Sequence, residues 1–501
     1  MFEKIKKNWS KVFLFALFIL YSGVTLIIVT KHESWADEAQ AWLIARDLDI
    51  IGVIKQMKYE GHSCLWHLVL FPFAHLGFPY ETIKYISWAF SVAAVWIILM
   101  KSPFNKLLKL IIVFNPAMLY IFPAISRCYC MIPFLISCIC TIYNQKDEKP
   151  YLYAILIALL ANTHVVMEPT AAMLIFFFWG EKLIWKRKQT DNKKIYWKSF
   201  IIACLGILLF VAQVLPAIFN CAIVENVEKV DSITDKNSLF VNTRNVLDMI
   251  GNYLFNNVKW CRTLLAIAFT LLLIASISNP KQGIIFWIQM IFYIFVHAFV
   301  WFMIKQRAYL ILLYVLFFAW NFRNDSKTQK ILNKVPVYYL TDLALLIVAI
   351  TMMVNIEMVK ADIEGNYSSS KILAKYIEKE VPKNSVFICP NNEKCTSVMP
   401  YLNKDDYMFY SPNAKRYYTF VTWDELQQKK SKMVDIKSAV ETLEKEGHEN
   451  IYVMLSKYMV FVEMTVNREE YQKVFEADGS YNEHYGEYED YFLYKVNNTY
   501  Q

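Results

Sequence analysis

Apolar residues arrive in uncharged or nearly uncharged blocks at 12–30, 85–100, 110–126, 128–143, 151–167, 169–180, 199–219, 263–279, 283–304, 308–322 and 335–355. Most of these blocks are long enough for a helix to cross a bilayer core of about 30 Å, and the shorter ones are extended by their neighbours. The pattern predicts eleven membrane-spanning helices. A twelfth apolar block, Leu65 to Phe78, has the length of an interfacial or re-entrant segment. If it does not span, the basic loops Lys101/Lys106/Lys109, Lys182 to Lys198 and Arg323 to Lys334 share the side of the N-terminus. Lys and Arg then number 21 in the inner segments against 13 in the longer outer loops, as the positive-inside rule requires. The N-terminus is therefore expected inside and the C-terminus outside. The first block follows Lys4, Lys6, Lys7 and Lys11 without a small-residue cleavage site, so it is expected to be a retained start helix.

This topology leaves a first external loop at 31–84, a second at 220–262 and a tail from about Lys360. In the first loop, Ala36 to Leu48 and Ile50 to Met57 place apolar residues at helical spacing beside charges. Together with Leu65 to Phe78 they predict helices lying at the membrane surface. Val246, Leu247, Ile250 and Leu254 predict a similar helix in the second loop. In the tail, helix-like stretches (Ser370 to Val381, Trp423 to Lys445) alternate with strand-like ones (Asn384 to Cys389, Asn450 to Ser456, Asp490 to Val496), which predicts a soluble α/β domain. The expected fold class is an α-helical polytopic membrane protein with a C-terminal α/β domain. Its divisions are 1–359, the transmembrane domain, and 360–501, the extracytoplasmic one.

Composition agrees. Of 501 residues 56% are hydrophobic and 19% are charged, where average usage is near a quarter charged. Disordered, collagen-like and small disulfide-rich classes are excluded. The net charge of +8 belongs to membrane-flanking loops and excludes a nucleic-acid binder. Ten cysteines give no metal spacing. Only Cys389 and Cys395 share the tail, and a pairing between them is not fixed by sequence.

Candidate chemistry gathers on the expected outer face. Asp37 and Glu38 stand in Trp35-Ala36-Asp37-Glu38-Ala39-Gln40-Ala41-Trp42, just past the first helix, where they also suit the opening turn of a surface helix. Arg127 and Tyr129 lie between two spans, His164 and Glu168 at an outer helix end, Lys305 and Arg307 in a short turn, and Glu60 and His62 ahead of the 65–78 block. Ionisable groups at membrane depth are costly, so their convergence on one face predicts a site, with Asp342 as the exception. A carboxylate can take a proton from a hydroxyl nucleophile while cations offset charge on a phosphate leaving group. A lipid-phosphate sugar fits that arrangement. Glu60, His62, Asp37 and Glu38 could alternatively hold a divalent cation such as Mg or Mn. His297 reads as a core residue and Glu483 to Asp490 as a solvated surface.

The order Asp37-Glu38, Gly61-His62-Ser63-Cys64-Leu65-Trp66, Arg127-Cys128-Tyr129 and Thr163-His164 resembles the GT-C polyprenyl-phosphate-sugar glycosyltransferases, in the branch of protein O-mannosyltransferases, aminoarabinose transferases and RgtA/B/C/D-like enzymes. The resemblance covers about residues 1–322, with Ser63-Cys64 where the family often has two prolines. It implies an inverting transferase of the cell membrane. Asp37, aided by Glu38, would be the catalytic carboxylate, and Arg127, Tyr129, Lys305 and Arg307 would hold the donor phosphate. Glu60, His62 and His164 would be left for acceptor or metal. The implied partners are a polyprenyl-phosphate-linked sugar, a glycan, lipid or protein acceptor hydroxyl on the outer face, and the bilayer.

Competing readings are a transporter or flippase, a polysaccharide polymerase or ligase, and a bare membrane anchor. A transporter would place ionisable groups near the midplane and show internal repeats. A polymerase would carry paired arginines in a late external loop, where 220–262 has only Arg244 and the boundary residue Arg262. An anchor leaves Asp37 and Glu38 unexplained. The topology has a direct check in intact cells: cysteines introduced into 181–198 should resist an impermeant thiol reagent and those in 360–501 should react, and the opposite pattern would overturn it.

Overall fold

The structure, a computed structural model, describes residues 2–220, 236–301, 303–325, 337–365, 367–390, 392–428, 435–456, 470–477 and 489–497. They gather in two compact units. One holds Met1–Val29, Ser87–Gln213 and Val224–Val359, and the other Thr30–Ile86, Val214–Ile223 and Lys360–Gln501.

Among the described residues, seven helices have the length and apolarity to cross a membrane: Trp9–Lys31, Thr82–Lys101, Cys128–Gln145, Lys193–Ala217, Lys259–Ser278, Pro280–Phe299 and Tyr338–Glu364. They coincide with seven of the eleven expected spans. The other four blocks form shorter or broken helices, and local chemistry explains two breaks. Lys106–Val113 ends ahead of Asn115-Pro116. There the Asn115 side chain accepts from Ala117 N–H at 2.9 Å and donates to Ala349 O at 2.7 Å, and a π-turn at Ala117–Ile121 continues the path. Pro150–Ala161 stops at Asn162, and Glu168–Gly180 restarts with Pro169 in its first turn, where a missing N–H costs nothing. The fourth, Leu310–Asn324, is buried on every side from Leu310 to Phe322, so its continuous apolarity reflects a central position. Asp342 is explained too. Its carboxylate takes a two-point contact from Arg323, one arm at 3.1 Å, while Arg323 also donates to Pro103 O at 3.0 Å. A buried carboxylate so paired is a helix tie.

α1 (Phe2–Lys31) leads into the first loop, whose helices α2 (Ala36–Asp47), α3 (Ile50–Glu60) and α4 (Leu65–His75) belong to the other unit, and α5 (Thr82–Lys101) follows them. Asp49 opens α3 by accepting from Gly52 N–H at 2.6 Å, and Gly61 closes it at φ 72°, a left-handed turn that a Cβ would disfavour. At 11 residues α4 rises about 16 Å, too short to cross, and it buries Trp66, His67, Leu70 and Ala74 along one side. The expected second-loop helix, Lys236–Phe255, belongs to the first unit, with Val246, Ile250 and Leu254 buried.

Among the described residues the tail carries a mixed sheet of six strands, β1 (Ser385–Ile388), β2 (Tyr407–Ser411), β3 (Arg416–Tyr417), β4 (Ile451–Ser456), β5 (Tyr471–Glu476) and β6 (Tyr491–Val496). Their order is β3-β2-β1-β4-β6-β5, parallel where β1 meets β2 and β4, antiparallel elsewhere. Alternation assigns the two faces. Phe387, Tyr452, Met454, Tyr491 and Leu493 pack under helix Ser370–Glu380 together with Leu43 of α2. Val386, Ile388, Ile451, Val453, Leu455, Phe492 and Tyr494 pack under helix Ile436–Lys445. The strands β2, β3 and β5 were not expected, and the stretch Trp423 to Lys445 holds two helices, Glu425–Gln428 and Ile436–Lys445, with 429–434 outside the described residues. Of Glu483 to Asp490 only Glu489 and Asp490 are described, and both are buried, contrary to a solvated surface. Cys389 and Cys395 are free thiols, both fully buried.

In the helical unit Gly206 meets Ala158 so closely that an added Cβ would lie 2.4 Å from the Ala158 Cβ and 2.5 Å from its Cα. Asn162 fixes the contact by donating to Gly206 O at 2.8 Å. Close backbone approach through small residues is how membrane helices pack without a hydrophobic drive. Gly206→Ala should lower stability by about 1–3 kcal/mol, the usual cost of overpacking, read as a lower unfolding midpoint in detergent. An unchanged midpoint would show that the contact is not tight.

Candidate functional site

The predicted residues fall into two groups, one in each unit. In the first-loop unit, the opening turn of α2 exposes main-chain N–H groups that lack intrahelical partners. Glu38 reaches back to accept from Trp35 N–H at 3.0 Å, and Glu489 accepts from Ala36 N–H at 2.9 Å through Oε1. Glu38 is fully buried and also faces Nε2 of His32 at 3.3 Å. The other ring nitrogen of His32, Nδ1, lies 3.0 Å from Asp362 Oδ2, and Lys84 donates to His32 O at 2.9 Å. Burial alone would push the His32 imidazolium down, but the Asp362 and Glu38 carboxylates outweigh it and raise it to about 10. An imidazolium between two carboxylates is the state this geometry holds.

Asp37 points elsewhere. Adjacent residues on a helix differ by about 100° in direction, so while Glu38 turns inward Asp37 stays half-buried. Of the two predicted catalytic carboxylates, Glu38 is engaged in holding the turn, and Asp37 is the more exposed. Glu60 is engaged as well: its Oε1 accepts from Gln40 and Gln56, both at 3.0 Å. The His62 ring stacks on that of His67 with centroids 5.3 Å apart. Among the described residues no group of three or more His, Cys, Asp or Glu side chains is arranged to hold a metal ion.

In the helical unit, three distant segments bring together Arg127, Tyr129, His164 and Arg307. Arg127 stands in extended backbone before a single 3-10 turn, Cys128–Cys130, with its guanidinium 5.7 Å from the Tyr129 ring centre. Buried Tyr129 accepts from Arg307 Nε–H at 2.9 Å, and its Oη lies 3.4 Å from His164 Nε2. His164 Nδ1 accepts from Val166 N–H at 3.3 Å, which puts the proton of the neutral ring on Nε2, toward Tyr129. Both guanidiniums lie within electrostatic range of the Cys128 thiol, and both arginines are only partly buried. Two forked cations on a tyrosine and histidine base suit an oxyanion such as a phosphate. Lys305 precedes Arg307 by two residues on the one-turn helix Lys305–Ala308, a spacing that sends the side chains apart. Burial holds its ammonium down, to about 8. His297 donates from Nδ1 to Tyr293 O at 2.7 Å and is a core residue, as expected.

Sequence reasoning did not single out His32, Asp362 or Glu489. His32 lies only six residues from Glu38, but its other partner is 330 residues away and the Glu489 contact spans 453. No local pattern encodes such pairs.

No family model matches the chain and no curated protein matches it. Among solved structures, the crystal structure of ArnT from Cupriavidus metallidurans in the apo state matches with a TM-score of 0.55 at 10% identity, over 98% of this chain and 98% of that one. The crystal structure of ArnT from the same organism bound to undecaprenyl phosphate matches with a TM-score of 0.52 at 9% identity, again over 98% of each. At that identity the likeness is one of fold. It extends over both the polytopic helical part and the small C-terminal sheet, the GT-C architecture the sequence resembles.

Because the folded-state value of His32 lies above its ordinary 6.5, its contribution to stability is fully present below about pH 6.5 and is lost as pH rises through about 10. The wild-type unfolding midpoint should therefore fall across that window. His32→Gln, which leaves Glu38 and Asp362 without their shared cation, should already be lower at neutral pH, by about 3–5 kcal/mol, with a flatter pH profile. A variant as steep as wild type would contradict the bridge.

Proposed function

We propose that the protein is an integral-membrane glycosyltransferase that moves a sugar from a polyprenyl-phosphate donor to an acceptor hydroxyl on the outer face of the membrane, with inversion. The observation that carries this reading is the convergence of Arg127 and Arg307 on Tyr129 and His164, in a fold shared along its whole length with an ArnT whose crystal structure holds undecaprenyl phosphate. An anion-binding set of this kind suits a lipid phosphate.

Asp37 takes the proton of the acceptor hydroxyl as its oxygen bonds to the anomeric carbon. The bond from that carbon to the phosphate oxygen breaks, and Arg127 and Arg307 offset the charge that develops on the departing polyprenyl phosphate. A single displacement inverts the anomeric centre. Glu38 has another task, because its buried carboxylate already serves His32 and the Trp35 N–H.

Asp37→Asn keeps the shape but removes the proton acceptor. Turnover should fall about 10²- to 10⁴-fold, the usual loss for a general base, while binding of the donor lipid persists. Arg307→Ala should instead weaken donor binding. A rate for Asp37→Asn within a few-fold of wild type, or a product that retains the donor configuration, would sink the mechanism.

A further inference from the structure

The structure assigns the C-terminal residues Glu489 and Asp362 a task in the first loop: we propose that they are positioning residues that hold the Asp37-bearing turn of α2 in its working geometry. The inference rests on Asp37 being the base proposed above.

The bonds around Asp37 carry the argument. On its N-terminal side, the first helical N–H, that of Ala36, is satisfied not by a neighbour but by Glu489 Oε1 at 2.9 Å. On its C-terminal side, Glu38 is fixed through His32, and His32 through Asp362 at 3.0 Å. One turn on, Gln40 and Val421 exchange a pair of hydrogen bonds, at 2.6 Å to Val421 O and 3.0 Å from Val421 N–H. Residues 36, 38 and 40 thus each answer, directly or through one side chain, to a residue beyond 360.

Glu489 is itself held. It is 1% exposed, its Oε2 accepts from Ser368 Oγ at 2.8 Å, and its carbonyl accepts from Ser369 N–H at 2.9 Å. Ser368 and Ser369 open the helix Ser370–Glu380, which is packed on the sheet. The carboxylate therefore transmits the position of a rigid sheet and helix to the start of α2. A helix cap made for stability alone needs only a nearby Ser, Thr, Asp or Asn. Here the N-cap is Trp35, without a capping side chain of that kind, and the cap is imported across 453 residues. A base displaced by about 1 Å loses about 10²-fold in rate, so a remote clamp on this turn has a catalytic consequence.

The test uses the full-length protein in detergent or nanodiscs and reads two quantities. In Glu489→Ala, amide hydrogen exchange at residues 36–40 should accelerate at least about tenfold relative to the β1 and β4 amides. The kcat per folded molecule should fall about 10- to 100-fold, with the donor KM within about twofold. Glu489→Gln, whose amide oxygen can still accept from Ala36 N–H, should restore most of both. A folded Glu489→Ala with unchanged exchange or unchanged kcat overturns the proposal, as does a loss of kcat that Gln leaves unrepaired. Should Glu489→Ala not fold, Ser368→Ala, which removes one bond from the same carboxylate, decides by the same two readings. Absence of transfer by the wild type would remove the functional reading, while the exchange measurement would still decide whether Glu489 holds the turn.

Discussion

The buried bridge Glu38–His32–Asp362 is the interaction on which the first-loop unit depends. Two carboxylates and one imidazolium, all out of contact with water, are tolerable only as a set, because a lone buried charge costs several kcal/mol. The set ties the chain just past the first membrane helix to the chain just past the last expected span. Around it lie further cross-links of the same kind: Lys371 on Glu81 at 2.8 Å, and Tyr80 against Tyr401 with ring centres 5.0 Å apart. The apolar contact of Leu43 with the sheet core completes the join. The first loop and the tail form one folded body, and α2 with Asp37 belongs to it.

The bridge also separates two carboxylates that look equivalent in sequence. Glu38 is committed to His32 and the Trp35 N–H, which is why the proposed proton acceptor is its neighbour. The helical unit shows the same division of labour. Asp342 and Arg323 satisfy each other at a helix junction, whereas Arg127 and Arg307 gather on the Tyr129 side chain.

Legibility from sequence followed the range of the forces involved. Apolar block length is a local property, so seven apolar helices and the first-loop helices α2, α3 and α4 fall at the expected positions along the chain, although α2 is largely buried and packs Leu43 into the sheet core. Two of the remaining four blocks are interrupted, at Asn115-Pro116 and Asn162, where polar side chains bond the main chain of another helix, as Asn115 does with Ala349 O. Arg127, Tyr129 and Arg307 were grouped from sequence because all sit at helix junctions, but that His164 joins them, and that the tyrosine hydroxyl is the hub, was not readable. Strands β2 and β5 went unseen: β2 is buried along most of its length and β5 is an edge strand with a bulge between Lys473 and Phe475, so neither shows clean alternation. The buried Glu489 was read as surface because an acidic run normally is; only its fit to Ala36 and Ser368 makes burial affordable.

The account's central claim is that a glycosyl–phosphate bond is broken. The most direct measurement is to reconstitute the wild-type protein in liposomes with doubly labelled polyprenyl-phosphate sugars, one label on the sugar and one on the lipid, and an envelope-derived acceptor. The account predicts that the sugar label moves to the acceptor while free polyprenyl phosphate appears in equal amount. If both labels stay joined across a panel of sugars and acceptors while the intact lipid changes leaflet, the protein moves its ligand rather than cleaving it, and the claim is contradicted.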